Sequence, residues 1–438
     1  MSSCEDWVSR PAGPLHGEIL VPGDKSISHR ALMLGALAEG TTRIDGFLEG
    51  DDTCATAAIL AAMGVDIDAP GASCRIINGV GLRGLAMPDH PLDCGNSGTG
   101  MRLLAGLLAG QMFDSTLVGD ASLSRRPMRR VVEPLRAMGA DIVASATDLP
   151  PLRIRGGQTL VGIDYVAPVA SAQVKSALLL AGMYANGETC ISEAHPTRDH
   201  TERMLAAFGW PITYAAGHAR LLGRHRLCAT RLAVPGDFSS AAFFLVAASV
   251  TPGSDLLLRA VGMNPRRTGL LDVLACMGAD IDIENRREQS GEPIADLRVR
   301  HTQLSGIEVA EDRTADLIDE FPILFIAAAA AHGRTLVRGA GELRVKESDR
   351  IAVMCDGLRS LGVEAIETAD GAIIEGGALT GGTVDSAGDH RCTMSFAVAG
   401  LIAQAPLRVN DCANVATSFP GFVDLANASG FDLVVCRE

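Results

Sequence analysis

RAMGADI occupies residues 136–142 and returns as ACMGADI at residues 275–281. The same short pattern, a large apolar residue, a glycine, a small or apolar residue and then an extended segment, recurs six times along the chain. The glycines are Gly64 in AAMGVDI, Gly139, Gly209 in AAFGWPI, Gly278, Gly362 in RSLGVEAI and Gly430 in NASGFDL, spaced 75, 70, 69, 84 and 68 residues apart. Six equal units of a 438-residue chain would be about 73 residues long, so the spacing fits a molecule built wholly from one repeated unit. The plainer alternative is a set of similar helix ends, each closed by a glycine in the left-handed conformation.

The unit can be read in detail. Ile351, Met354, Leu358 and Leu361 lie at helical spacing, and Gly362 stops that helix before an extended segment. A second helix in each unit is rich in small apolar residues: RALMLGALA, TGMRLLAGLLAG, SALLLAGMYA, AAFFLVAASV, ILFIAAAAA and MSFAVAGLIA. These six are expected to be buried nearly all round. Each leads into an extended stretch, TTRIDGF, STLVGD, ETCISEA, SDLLLRA, RTLVRGA or LRVND. The unit therefore reads as strand, buried helix, strand, outer helix, then one or two strands. A boundary near Val234–Gly236 divides the units three and three.

Composition narrows the function. Apolar residues form 47% of the chain and aromatics only 4%, so burial must rest on Ala, Leu, Val, Ile and Gly packed closely. A length of 438 residues points to two domains. The formal charge of −14 argues against a nucleic-acid or anionic-membrane protein, leaving only a local basic site. Eleven cysteines without a C-x-x-C pair suggest neither a zinc site nor a disulfide framework, and fit a reducing cytoplasm. Residues 1–10 resemble no secretory or transit segment, and the longest apolar runs, Phe321–His332 and Cys392–Leu407, fall short of a span of about 20 residues.

Polar and charged residues gather at the start of each buried helix: Lys25 to Ser28, Asn96 to Thr99, Ser171 to Gln173, Asp237 to Ser240, Asp319 with Glu320, and His390 to Thr393. Capping explains most of them. It does not require Lys25, Arg30, Gln173 and Arg391 beside them. Helix starts facing one cleft offer free N–H groups and positive dipole ends, which suit phosphate and carboxylate groups. Further cations lie in the loops around Arg125 and Arg126, Arg198, and Arg344 to Arg350. GDKS at residues 23–26 lacks the glycines of a nucleotide phosphate loop, and no convincing GxGxxG supports a nucleotide cofactor.

Nine stretches, in order, resemble the 5-enolpyruvylshikimate-3-phosphate synthase family of 3-phosphoshikimate 1-carboxyvinyltransferases. They are VPGDKSISHRA, DCGNSGTGMRLL, GDASLSRRPM, SAQVKSALLLAG, VPGDFSSAAF, IDEFP, LRVKESDRI, DHRCTMSFA and ATSFPGF. SAQVK, TRDHTE and KESDR resemble the family's divergent second class. The resemblance implies an inside-out α/β barrel of two domains, each with three βαβαββ-type repeats and buried helices, closing over the active site. The expected domains are 23–235 and 236–438 plus 1–22, hinged near 20–24 and 234–238. It further implies transfer of the enolpyruvyl group of phosphoenolpyruvate to the 5-hydroxyl of shikimate-3-phosphate, with no metal or organic cofactor, in a cytoplasmic, monomeric enzyme of aromatic amino-acid biosynthesis.

Carried over by position, the resemblance gives Lys25 contact with both substrates. Ser26, Arg30, Ser171, Ala172, Gln173, Arg198, Asp319 and Lys346 would hold shikimate-3-phosphate. Arg126, Arg350, Arg391, Gln173 and the backbone at Gly98 would hold phosphoenolpyruvate. Asp319 would take the proton of the attacking hydroxyl, Glu347 would exchange the proton at the methylene carbon, and Asp237 would orient the intermediate. Two positions depart from the common pattern: Ala172 stands where many members have a second Ser, and Thr417 where many have a Lys. Gly98 is the position at which members tolerant of glyphosate often carry Ala, so sensitivity is expected. The competing readings are an enolpyruvyl transferase acting on UDP-N-acetylglucosamine, disfavoured because no Cys lies in residues 120–130, and a two-lobed anion-binding protein without catalysis.

Overall fold

The computed structural model describes residues 5–437. Contacts divide the chain into two units: residues 23–234 with 288–292, and residues 5–22, 235–287 and 293–437. The boundaries fall at 22/23 and 234/235. Residues 288–292, the turn between the strands Asp280–Gln289 and Glu292–Arg300, go with the first unit, an excursion that no sequence signal announced.

Twelve α-helices alternate in character among the described residues. In the first unit they are α1 (Lys25–Leu37), α2 (Asp51–Ala62), α3 (Gly98–Ala109), α4 (Arg129–Ala137), α5 (Ala172–Gly182) and α6 (His200–Ala207). In the second they are α7 (Phe238–Val250), α8 (Gly269–Cys276), α9 (Phe321–Ala330), α10 (Arg350–Ser360), α11 (His390–Ile402) and α12 (Phe422–Ser429). The odd-numbered helices are the small-residue ones, and they are buried on almost every face; α7 is buried at every position. They form the centre of two separate apolar cores, one in each unit. Each even-numbered helix bears one buried stripe, as a surface helix does. After each of these comes the repeat glycine, with φ between +80° and +120°, the region that stops a helix at little cost only for glycine. No helix among the described residues is long and apolar enough to cross a membrane.

Close approach explains the small residues. A Cβ placed on Gly106 of α3 would lie 2.1 Å from the Ala177 carbonyl oxygen of α5. The two helix backbones touch, so side-chain volume at that point must be zero.

Among the described residues the strands form six sheets, three per unit, five of four strands and one, Arg334–Val337 with Gly371–Glu375 and Ala365–Thr368, of three. In the sheet of Asp164–Ala167, Glu188–Glu193, His218–Leu222 and Ile212–Ala215, the first two strands run parallel and the others antiparallel. The buried helix connects the parallel pair, and the outer helix leads from its second strand into the hairpin. Two sheets take their first strand from a distant part of the chain. His16–Ile19, which precedes α1, pairs in parallel with Asp255–Gly262 in the second unit. Arg231–Ala233, which precedes α7, pairs with Glu39–Asp45 in the first. The last sheet is completed by the beginning of the chain, Glu5–Arg10, between Leu407–Asn410 and Asp432–Arg437.

Candidate active site

Three buried helices begin side by side in the first unit. Asp24 caps α1 by accepting from the Ile27 N–H at 2.8 Å, so Lys25 and Ser26 lie inside the first turn rather than before it. The carboxylate of the GD pair, not the following serines, starts the helix. Lys25 Nζ lies 2.9 Å from Asp52 Oδ2 on α2. One turn on, buried Arg30 donates to the Ser26 carbonyl at 2.8 Å, to Thr201 Oγ1 at 2.6 Å and to Ser176 Oγ at 2.8 Å. Burial and the neighbouring Arg198 cation lower its pKa to about 10, still well above neutrality. His29, between them in sequence, faces Thr56 Oγ1 at 2.9 Å and Ser97 Oγ at 3.3 Å. Burial, Lys25 and Arg30 push it down to about 3, so it is neutral.

Ser97 caps α3, accepting from the Gly100 N–H at 3.0 Å. A Cβ on Gly98 would sit 2.9 Å from Arg102 Nη1 and 3.2 Å from Arg126 Nη1, so two guanidinium groups bracket this backbone. Arg126 donates to Asn96 Oδ1 at 2.7 Å and Ser122 Oγ at 3.2 Å. Gln173 crosses from α5 to α3: its Oε1 accepts from Arg102 at 2.9 Å and its Nε2 donates to Thr99 Oγ1 at 2.8 Å. Ser171 caps α5, accepting from the Val174 N–H at 3.4 Å. Ala172 has no polar side chain and its carbonyl already accepts from Ser176 Oγ at 2.6 Å, so only its N–H, in the unfilled first turn, is left to bind.

The second unit repeats the device with more carboxylates. Asp237 caps α7, accepting from the Ser239 N–H at 2.7 Å, and Asp389 caps α11, accepting from the Arg391 N–H at 2.9 Å. Asp237 was singled out from sequence at its helix, whereas Asp389 precedes the residues singled out at α11. Glu320, at the start of α9, accepts from Ser239 Oγ and lies 3.4 Å from Arg391 Nη1; Arg391 also donates to the Asp319 carbonyl at 2.8 Å. The starts of α7, α9 and α11 are thereby stitched together.

Asp319 faces three cations. Arg267 Nη1 is 2.9 Å from its Oδ2, and Lys346 Nζ and Arg350 Nη1 are each 3.8 Å from its Oδ1. Arg350, 2% exposed at the start of α10, donates to Asp389 Oδ2 at 2.8 Å and Glu347 Oε2 at 2.6 Å. Burial alone would lower the Arg350 pKa, but Asp389, Glu347 and Asp319 outweigh it and hold it above its ordinary value. Asp389 is correspondingly held below the carboxylate range: burial opposes this and the Arg350 cation overcomes it. Lys346 also lies 3.2 Å from Glu342. Thr417, where many members of the resembled family carry Lys, is buried and donates to the Asn414 carbonyl at 2.7 Å within its own turn, so it supplies no cation.

Sequence reasoning missed three of these groups. Arg102 was inside a quoted motif, and its place four residues after Gly98, on the same helix face, was a usable signal. Asp52 and Arg267 carried none; only folding brings them to Lys25 and Asp319. Each unit thus offers a set of helix starts with cations suited to anionic oxygens. The second adds two carboxylates, Asp319 and the more exposed Glu347.

The chain matches the family model described as EPSP synthase (3-phosphoshikimate 1-carboxyvinyltransferase) over residues 9–425. It is 62% identical over 429 residues to the 3-phosphoshikimate 1-carboxyvinyltransferase of Xylella fastidiosa (strain 9a5c), covering 98% of this chain and 94% of that protein. It is 61% identical over 432 residues to its namesake from Xanthomonas campestris pv. campestris (strain B100), covering 99% of each. Among solved structures, the EPSP synthase from Acinetobacter baumannii superposes with a TM-score of 0.89 at 50% identity, over 99% of this chain and all of that one. The enolpyruvyl transferase NikO from Streptomyces tendae superposes at 0.80 with 16% identity over the full length of both chains, a likeness of fold.

Proposed function

The chain belongs to the EPSP synthase family and transfers the enolpyruvyl group of phosphoenolpyruvate to the 5-hydroxyl of shikimate-3-phosphate, and we propose that the residues assembled above carry out that transfer. Lys25, Ser26, Arg30, Ser171, Ala172, Gln173, Arg198, Asp319 and Lys346 bind shikimate-3-phosphate. Lys25, Gly98, Arg126, Gln173, Arg350 and Arg391 bind phosphoenolpyruvate. The hydroxyl oxygen attacks C2 of phosphoenolpyruvate as its proton passes to Asp319, while Glu347 delivers a proton to C3. Glu347 then takes a C3 proton back, the C2–O bond to phosphate breaks and phosphate leaves. The reading rests chiefly on the placement of Asp319, whose carboxylate faces Arg267 at 2.9 Å and Lys346 and Arg350 at 3.8 Å each.

The reaction gathers two phosphates and two carboxylates, and cations with helix starts offset their repulsion. Holding both substrates in one geometry removes much of the entropic barrier to their encounter. The proposed binding groups are divided between residues 23–234 and the rest, so we further propose that the units close on the substrates about 20–24 and 234–238, excluding water. The enzyme works as a cytoplasmic monomer. The deciding measurement is phosphate release in a coupled assay with chelator present. Unchanged turnover of the wild type in chelator is expected, with Asp319→Ala and Glu347→Ala each slower by about 10²–10⁴-fold. Near-normal kcat in both folded variants would refute the assignment.

A further inference from the structure

Lysine is nearly absent from this chain: 35 of its 38 basic residues are arginine, and the three lysines are Lys25, Lys175 and Lys346. Two of these belong to the proposed site. The third has no role yet.

Lys175 sits on α5 with its side chain 4% exposed, between the equally buried carboxylates of Glu193 and Glu202. An ammonium has three N–H groups, and this one meets three acceptors: Glu202 Oε1 at 2.9 Å, Glu193 Oε2 at 3.0 Å and the Thr197 carbonyl at 3.3 Å. Burial pulls its pKa down and the two glutamates more than restore it, so it stays charged. A guanidinium, planar and forked, cannot send three N–H groups from one nitrogen to acceptors disposed in this way. That accounts for a lysine in a chain that otherwise uses arginine.

The third acceptor gives the cluster its purpose. Every polar group of Thr197 is held by it: the N–H donates to Glu193 at 3.2 Å, Oγ1 donates to the same carboxylate at 2.7 Å, and the carbonyl accepts from Lys175. The next residue is Arg198, whose charge acts on Arg30. Arg30 is held by the neighbours of the same cluster, Ser176 beside Lys175 and Thr201 beside Glu202. A buried ion cluster is seldom the most stable filling for a core, and apolar residues of similar volume often do better. Its retention is accounted for by geometry rather than stability.

We propose that Lys175 is a positioning residue, which through Glu193 and Thr197 fixes Arg198 opposite Arg30 to receive the phosphate of shikimate-3-phosphate. The proposal rests on the reading of Arg198 and Arg30 as shikimate-3-phosphate ligands. Its test is steady-state kinetics with each substrate varied in turn, on the whole protein, for Arg198→Ala, Lys175→Met, Lys175→Arg and Thr197→Val, with thermal melting alongside. Thr197→Val leaves both ion pairs intact, and so decides the matter if the Lys175 variants fail to fold. The expected result is a KM for shikimate-3-phosphate raised about tenfold or more by Arg198→Ala, and several-fold by Lys175→Met and Thr197→Val. The KM for phosphoenolpyruvate and kcat should stay within about twofold in the Lys175 and Thr197 variants, Lys175→Arg should restore nothing, and Thr197→Val should add nothing to Arg198→Ala. If Arg198→Ala raises that KM while folded Lys175→Met or Thr197→Val leaves it unchanged, or raises both KM values alike, the positioning role is wrong and the ligand reading stands. If Arg198→Ala leaves it unchanged, both fall.

Discussion

Gly98 shows how much one missing methyl can decide. The space beside its Cα is bounded by Arg102 Nη1 and Arg126 Nη1, 2.9 and 3.2 Å from where a Cβ would stand. Alanine there pushes two cations a few tenths of an ångström out of place. An anionic occupant reaching the same arginines then loses both room and hydrogen-bond geometry. Gly98→Ala is expected to raise the glyphosate concentration for half inhibition by about tenfold, ~1.4 kcal/mol, with a smaller rise in the KM for phosphoenolpyruvate; equal inhibition of both forms would remove the glycine from the argument. His29 makes a second residue-scale case. Its imidazole is held neutral down to about pH 3, whereas an ordinary histidine binds a proton near 6.5. The unfolded chain therefore takes up the proton first, and stability falls as pH drops from 6.5 toward 3, at about 1.4 kcal/mol per pH unit for this group. Between pH 7 and 5 the loss is about 2 kcal/mol. His29→Gln, which keeps neutral partners for Thr56 and Ser97, should flatten that part of the urea-midpoint profile; an unchanged slope would assign the pH dependence elsewhere.

At the scale of elements, the repeat was legible because two features are local. The glycine after each outer helix announces its own stop, and the small-residue helices announce burial on all sides. All six helices of the second kind occur where the composition put them, from α1 to α11. Other features are not local. The capping aspartates Asp24 and Asp389 were passed over in favour of the residues after them, because motif reading starts at the most conspicuous polar group, not at the one whose φ and ψ let it cap. The partners Asp52 and Arg267 come from segments with no distinguishing pattern. The pairings of His16–Ile19 with Asp255–Gly262 and of Arg231–Ala233 with Glu39–Asp45 carried no local signal, although the resemblance had already grouped residues 1–22 with 236–438, since strand pairing is settled by the whole chain. The small-residue pattern itself makes a quantitative prediction. Gly106→Ala drives a methyl into the Ala177 carbonyl and should cost about 3 kcal/mol or more, seen as a lower Tm. Gly71→Ala, whose Cβ meets nothing within 4 Å, is the matched control and should melt unchanged.

For the whole molecule, the distribution of aromatic residues supplies a natural pair of probes. The chain has two tryptophans. Trp210 is buried in the core of residues 23–234, and Trp7 lies in the other core, stacked 5.7 Å from Phe422. Trp7→Phe leaves a fluorescence signal from the first unit only, and Trp210→Phe from the second only. Most of the proposed shikimate-3-phosphate ligands, Lys25, Ser26, Arg30, Ser171, Gln173 and Arg198, belong to the unit that Trp210 reports. A ligand stabilises what it binds by RT ln(1 + [L]/Kd), about 2.7 kcal/mol at a hundredfold excess over Kd. Shikimate-3-phosphate alone should therefore raise the Trp210-reported unfolding midpoint by about that amount and move the Trp7-reported one less. Adding phosphoenolpyruvate, whose proposed ligands include Arg350 and Arg391, should then raise the Trp7-reported midpoint as well. Identical shifts at both probes with shikimate-3-phosphate alone would mean that the two units unfold as one body. A shift at Trp7 alone would reverse the assignment of ligands to units.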